Sequence, residues 1–480
     1  MRGGILLATI NAKWIHPSLA LRLLKANLGP LAERCEIAEF ALRQPLREKT
    51  EPILAARPRI LGLSVSIWNH AATLELLAEL RKAWAEAAGE PRPFVVLGGP
   101  EVSHLPENAE ILRHADCRII GEGETAFREL CEKIFSETRE NFAPASIEAR
   151  QMDLTAVKSG YGLYADEDLR RKLVYVEASR GCPYSCEFCL SARDAKTREF
   201  PLEPFLAEMS ELIRRGARTL KFLDRSFNVD AARARRVMEF FLEQLDMLEA
   251  RPEAAPFTVH FEMVPFRFPP ELMETIARFP RGSLRLEIGI QTLNQEVSAL
   301  VGRPLRPRLS PELPRELETL RALRRETNAI IHADLIAGLP GEDMASFGRG
   351  FDLLWDALSP PARDSAKQGS AVEVQLGILK LLPGAQIARH SAARGMSYNP
   401  APPYEVTETA ALPARDLDRI KNFARFWELV VNRGLADAGA APVFDRFMAL
   451  SDSLLARFGR NWGIAKGDLL EAVREAGFSG

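Results

Sequence analysis

The chain has 480 residues, 63 of them basic and 65 acidic, so its formal net charge is −2 and no basic field draws nucleic acid or an anionic membrane. A hydrophobic fraction of 46% excludes global disorder. At roughly 150 residues per domain, the length suggests about three domains. No stretch reaches the ~18 consecutive apolar residues of a membrane helix, and no signal peptide is legible at Met1–Leu7. The expectation is a cytoplasmic protein.

From Ile5 to Ser136, strand-like and helix-like segments alternate. Ile5–Ile10, Cys35–Phe40, the apolar run from Arg59 to Ile67, Phe94–Leu97 and Cys117–Ile120 read as strands. Pro17–Leu28, Ala71–Trp84 and Thr125–Ile134 carry helical spacing. Such alternation predicts a mostly parallel sheet covered by helices, with ligands bound beyond the carboxyl ends of the strands. The loops at those ends stand out. The first holds Asn11, Ala12, Trp14 and His16; the second holds Ser64, Val65, Ser66, Trp68 and Asn69. The third is Gly98-Gly99-Pro100-Glu101 and the fourth Gly121-Glu122-Gly123-Glu124. Their glycines allow close backbone approach to a flat ligand, their tryptophans offer apolar faces, and Asn11, Ser64, Ser66 and Asn69 offer hydrogen bonds to amides. No phosphate-loop pattern is present, which lowers the nucleotide reading.

Residues 137–170 are charged and lack a clear period, so they read as a linker. Six strand–helix units follow, with strands predicted at Leu173–Ala178, Thr219–Leu223, Phe257–Met263, Leu284–Ile290, Ile330–Ile336 and Val372–Leu376. Helical segments fill the spaces between them, including the stretch up to Thr327. The Pro-rich run Asn399–Glu405 reads as an extended loop. From Ala414 onward the chain reads as helical, with Phe423, Phe426, Trp427, Leu429 and Val430 at core-like spacing.

Six cysteines are too few for a disulfide scaffold. Cys35, Cys117 and Cys131 are scattered through predicted strands and helices and read as buried packing residues. Cys182, Cys186 and Cys189 form a C-x3-C-x2-C run after the strand around Tyr175–Ala178. Zinc usually takes four ligands, and no second pair or nearby histidine completes the set. Three thiolates from one loop suit a [4Fe–4S] cluster with one iron left open.

That spacing, with Phe188 just before the third cysteine, resembles the radical S-adenosylmethionine (SAM) superfamily. The preceding domain resembles the cobalamin-binding domain of its B12-dependent branch. Lys221–Asn228, His260–Glu262, Glu287–Gln291 and Asp334–Glu342, with Asn11–His16 and Ile67–Asn69, resemble the subfamily with a DUF4080-type C-terminal region. The resemblance implies an α/β protein. Residues 1–136 would be a Rossmann-like (flavodoxin-like) cobalamin-binding domain, 137–170 a linker, 171–385 a partial (β/α)6 TIM-type barrel, and 386–480 a mainly helical domain.

It also implies the site. Cys182, Cys186 and Cys189 would hold the [4Fe–4S] cluster. Phe188, Asp224, Arg225, Glu287 and Gln291, with Ile336, Gly338 and Leu339 beside the adenine, would contact SAM. Asp224 would accept from its ammonium and Arg225 would pair with its carboxylate. The four N-terminal loops would hold cobalamin: Asn11, Ala12 and His16; Ser64, Val65, Ser66 and Trp68; Gly98, Gly99, Pro100 and Glu101; Gly121, Glu122, Gly123 and Glu124. None of the seven histidines lies in the D-x-H-x-x-G pattern that ligates cobalt from below. His332 and Asp334 share one face of a barrel strand and read equally as core or catalytic.

The implied activity is reductive cleavage of SAM to a 5′-deoxyadenosyl radical, with methyl transfer via methylcobalamin to an unactivated carbon. Alternatives are a cobalamin-assisted oxidation or rearrangement, or a non-catalytic cobalamin- and SAM-binding protein. A zinc-stabilised interaction protein ranks last. A small-molecule or peptide substrate and an external electron donor of flavodoxin or ferredoxin type are implied as partners, with no nucleic acid and no membrane.

Overall fold

The computed structural model describes residues 3–87, 91–136, 145–249, 256–303, 314–359 and 372–478. The first part of the expected linker, 137–144, and part of the helical stretch before Thr327, 304–313, lie outside the described residues. The chain divides into two compact units that do not follow chain order. The first comprises Met1–Ala178, Arg198–Lys221 and Leu382–Gly384; the second comprises Ser179–Thr197, Phe222–Leu381 and Ala385–Gly480.

The first unit is built on six parallel strands: β1 (Ile5–Asn11), β2 (Cys35–Ala41), β3 (Ile60–Ser64), β4 (Phe94–Gly98), β5 (Cys117–Ile120) and β6 (Ser146–Glu148), in the order β2-β1-β3-β4-β5-β6. The central strands β1, β3 and β4 are largely apolar and buried on both faces because helices cover both. One core gathers Leu6, Ile10, Leu63, Leu76 and Leu97; the other gathers Leu7, Ile60, Phe94, Phe127 and Leu130. This is the doubly wound flavodoxin-like order, and it reverses between β1 and β3, where such folds bind ligands.

Cys35, Cys117 and Cys131 are buried in the second of these cores, and burial pushes all three thiols up, Cys35 and Cys117 to about 12. Among the described residues of this unit, two α-helices have no counterpart in the periodicity: Leu46–Ala56, which carries Pro52 inside it, and the short Asp166–Arg171. The segment read as linker is also more ordered than its composition suggests. It supplies β6 and buries Leu154, Tyr161, Tyr164 and Leu169. A three-residue strand is too short to show a period.

All six expected barrel strands form. In the first unit Val174–Val176 lies beside Thr219–Phe222. In the second unit Thr258–Met263, Leu284–Gln291, Ile330–Ala337 and Val372–Ile378 run parallel, each beside the next. Burial alternates along the two central strands. Leu284, Leu286, Ile288 and Ile290 face one way into the core, while Arg285, Glu287, Gly289 and Gln291 face the other. A half-polar face opposite a fully apolar one places the polar side chains together inside the curve of the strands.

The C-terminal region is helical, over Ala414–Trp427, Phe444–Phe458 and Lys466–Glu475. Phe423 and Trp427 stack within 5° of parallel at 5.7 Å, and Phe351 meets Phe423 edge-on at 5.1 Å. The aromatic stripe is packing, as its spacing predicts. The Pro-rich loop is bounded by two short antiparallel strands, Ser397–Tyr398 and Val406–Glu408, that are too brief to be read from sequence.

Candidate functional site

Residues 181–189 form neither helix nor strand, so the shape of the cysteine loop is set by turns and tethers. Gly181 opens it at φ +88°, and a Cβ there would lie 2.1 Å from the carbonyl oxygen of Lys196, so only glycine fits. Cys182, Cys186 and Cys189 border one cavity of about 190 Å3. Among the described residues, no three His, Cys, Asp or Glu side chains are gathered closely enough to share one metal ion. The thiols instead surround space for a larger body, which fits a cluster held by three of its corners.

The rest of the cavity comes from strand ends. Arg225, Glu262, Glu287, Gln291 and Asp334 line it, with Phe188 and Arg303. Arg225 pairs with Glu262 at 3.4 Å, and His260 Nε2 lies 3.1 Å from Glu287. Gln291 is held at φ +71°, where the register of Leu284–Gln291 against Ile330–Ala337 shifts. Bulges of this kind re-aim a side chain at a site, and the strained backbone here sits at the cavity wall. Gly289 gives Gln291 the room, since a Cβ there would stand 2.3 Å from its amide nitrogen.

Of the residues singled out for SAM, Phe188, Arg225, Glu287 and Gln291 thus meet the cysteines at one cavity. Asp224 is buried and accepts a hydrogen bond from Ser179 Oγ at 2.5 Å. Gly338 and Leu339 are buried, and Gly338 lies against Val406 and Leu417, so the close approach it permits here is to the chain's own C-terminal region. Arg303 carried no sequence signal, yet its Nη1 donates to Cys186 Sγ at 3.6 Å and its Nη2 to the Gly289 carbonyl. Burial pushes the Cys186 thiol up, and the Arg303 guanidinium opposes that.

Behind the cavity wall lies a second polar group. His332 Nε2 is 3.1 Å from Asp334 and its Nδ1 is 3.3 Å from Glu373. Arg285 Nη2 also lies 2.8 Å from that Nδ1, and Arg285 grips Glu373 through both of its terminal nitrogens. Burial pulls the imidazole pKa down, but the carboxylates of Asp334 and Glu373 outweigh it and raise the ring to about 9. Burial opposes the charge of Glu373 too, but its bonds from His332 and Arg285 prevail and bring it to about 2.

In the first unit, the four singled-out loops follow β1, β3, β4 and β5, which are neighbours in the sheet. Trp14 and Trp68, each 54% exposed, flank the reversal between β1 and β3, and Ala12 and Pro100 are exposed. A Cβ built at Gly98 meets nothing within 4 Å. Lys172 Nζ lies over the Trp14 ring, 4.9 Å from its centroid, so the open backbone at Gly98 and the exposed Trp68 indole are the features that suit a flat ligand.

Other members of these loops have internal partners. Asn69, 1% exposed, donates to the carbonyls of Ile10 and Ser64 at 2.9 and 3.3 Å and accepts from the Ser66 amide at 2.8 Å. It therefore ties the ends of β1 and β3 together, with its amide not free for a ligand. Val65 and Ser66 are buried beside it. Asn11 donates to Glu39, and His16 Nδ1 is 2.9 Å from the Tyr175 hydroxyl. Glu101 is 2.7 Å from His70 Nδ1. Glu122 accepts from the Met152 amide at 2.8 Å and pairs with Arg198. Gly121 N donates to Ser103, and Glu124 is buried at the start of Gly123–Ser136.

Two family models match the chain. Residues 5–131 match the B12 binding domain family, and residues 176–354 match the Radical SAM superfamily. The chain carries a B12-binding domain and a radical SAM domain. A curated relative is the cobalamin-dependent radical SAM methyltransferase TokK of Streptomyces tokunonensis, 28% identical over 38% of this chain and 30% of that one. The matched stretches span less than half of the curated relatives' lengths.

Two solved structures share the fold along 99% of this chain. TsrM from Kitasatospora setae, a radical SAM methyltransferase with cobalamin and a [4Fe–4S] cluster bound, superposes over 100% of its chain with a TM-score of 0.61 at 16% identity. OxsB, a cobalamin-dependent SAM radical enzyme with aqua-cobalamin and SAM bound, does so over 79% of its chain with a TM-score of 0.64 at 13% identity. No helix among the described residues is long and apolar enough to cross a membrane.

Proposed function

We propose that this protein is a cobalamin-dependent radical SAM methyltransferase acting on an unactivated carbon of a small-molecule or peptide substrate. The observation that carries the reading is the meeting of Cys182, Cys186 and Cys189 with Arg225, Glu262 and Glu287 at one cavity. When bound, the cluster and SAM supply a 5′-deoxyadenosyl radical, and cobalamin supplies a carrier for the methyl group. The chain's own part is to bind, orient and exclude water. Arg225 offers a cationic fork for a carboxylate, and Glu262 beside it fixes that fork. Glu287 and Gln291 offer acceptors and a donor for hydroxyl groups. The apolar faces of Phe188, Met263 and Val264 keep part of the wall dry.

In the first unit the exposed Trp68 indole and the open backbone at Gly98 support the cobalamin assignment, and a bound cobalamin would find no histidine in a D-x-H-x-x-G motif to ligate its cobalt. All six cysteines are free, which suits a reducing cytoplasm and an external electron donor of flavodoxin or ferredoxin type.

The test uses the full chain purified without oxygen. Replacing Cys182, Cys186 and Cys189 together by Ala is expected to remove the iron and abolish 5′-deoxyadenosine formation, while hydroxocobalamin still binds. Full iron retention would overturn the cluster assignment. With the true substrate, equal S-adenosylhomocysteine and 5′-deoxyadenosine mark methylation. Deoxyadenosine without S-adenosylhomocysteine marks an oxidation or rearrangement instead.

A further inference from the structure

Between two of the cysteines lies a residue the proposed chemistry does not use. Glu187 follows Cys186 directly and its side chain is only 5% exposed. A carboxylate buried beside thiolates is repelled by them and costs desolvation as well, so packing alone would favour an apolar residue. Its charge is matched from 202 positions along the chain. Arg389 donates to Glu187 Oε2 through Nε at 3.0 Å and to Oε1 through Nη2, and His390 Nε2 lies 2.8 Å from Oε2.

The backbone is fastened as well. Glu187 N donates to the Val301 carbonyl at 3.0 Å, and the Glu187 carbonyl accepts from Ile387 N at 3.0 Å. Ile387 is fully buried, which anchors the segment Gln386–His390 that carries both partners. Gly302 packs closely under the same corner, where a Cβ would stand 2.7 Å from the Ser185 carbonyl oxygen. A loop without helix or strand thus takes its shape at Cys186 from two distant segments.

We propose that Glu187 is a positioning residue: with Arg389 and His390 it forms a clasp that fixes the cysteine loop, holds the cluster in place and sets its geometry. The clasp rests on the assignment of the cluster to Cys182, Cys186 and Cys189. Its two sides act as one device, so removing either side should release the loop, and removing both should do no more.

The experiment compares iron transfer to a ferrous chelator, and the paramagnetic resonance spectrum of the reduced cluster, in the anaerobic full chain. Glu187→Gln and the pair Arg389→Ala with His390→Ala are each expected to speed iron loss roughly tenfold or more, the scale of one charge-assisted hydrogen bond. Both should change the spectrum alike, and the combined variant should be no faster than either. Arg389→Lys should recover part of the wild-type rate. If Glu187→Gln fails to fold, the Arg389 and His390 replacements decide the matter against Arg389→Lys. Wild-type iron release from either side of the clasp, or effects that multiply in the combination, would overturn the clasp and leave the cluster assignment standing. Iron retained by the triple cysteine variant would remove the cluster assignment instead.

Discussion

Arg303 Nη1 donates to Cys186 Sγ at 3.6 Å while its Nη2 holds the Gly289 carbonyl, so one guanidinium bridges the cysteine loop and the bulged strand at the cavity. The bond has an electrical consequence. A reduced cluster carries one more negative charge than an oxidised one, so a cation on a ligating sulfur stabilises the reduced form more. Arg303→Gln is therefore expected to lower the cluster's reduction potential by on the order of 100 mV, about one charge-assisted hydrogen bond in a one-electron couple. Arg303→Lys, which keeps the charge but cannot fork to both acceptors, should fall between. Redox titration followed by paramagnetic resonance reads this directly, and a potential unchanged in Arg303→Gln would deny the coupling.

Asn69 and Trp68 are adjacent and are expected to fail in different ways. The Asn69 side chain is buried and bonded to three backbone groups of the β1 and β3 ends. Asn69→Ala leaves those groups unpaired, which should cost about 1–3 kcal/mol of stability. Trp68 is 54% exposed. Trp68→Ala should leave stability within about 0.5 kcal/mol and instead weaken hydroxocobalamin binding. Urea unfolding alongside ligand titration separates the two. Equal loss of stability in both variants would contradict the division of roles.

The longer strands of the two main sheets were legible because they are largely apolar over strand length, and the cysteine run because its spacing is local. Leu46–Ala56 was not legible, since Pro52 breaks the expected pattern and the apolar stripe is weak. Asn69 read as a ligand donor from its place in a loop; only the fold shows its amide consumed by Ile10, Ser64 and Ser66. Arg303 meets a cysteine 117 positions away, and Glu187 meets partners 202 and 203 positions away. Pairings at such separations leave no local period or motif. They exist only once the chain has closed, which is why the chemistry-bearing ligands could be read and their supports could not.

His332 gives the second unit a pH dependence of defined sign. Its ring is raised from an ordinary 6.5 to about 9 by Asp334 and Glu373 against the pull of burial. Arg285, 2.8 Å from Nδ1, and Glu287 also face it, and Gln375 lies 3.0 Å from Nε2. A group that binds its proton more tightly when folded stabilises the fold fully below 6.5 and loses that contribution as pH rises through about 9. Its size is about 3 kcal/mol at most. Glu373, lowered from 4.5 to about 2, guards the acid side: its contribution is present above 4.5 and lost as pH falls through about 2. The two share one contact, so their energies are not added. Urea unfolding near pH 6 and near pH 10 should show wild-type stability falling with pH more steeply than that of His332→Gln. Equal slopes in the two proteins would mean that the ring is neutral throughout, with Arg285 donating to it and the carboxylates held by Arg285 alone.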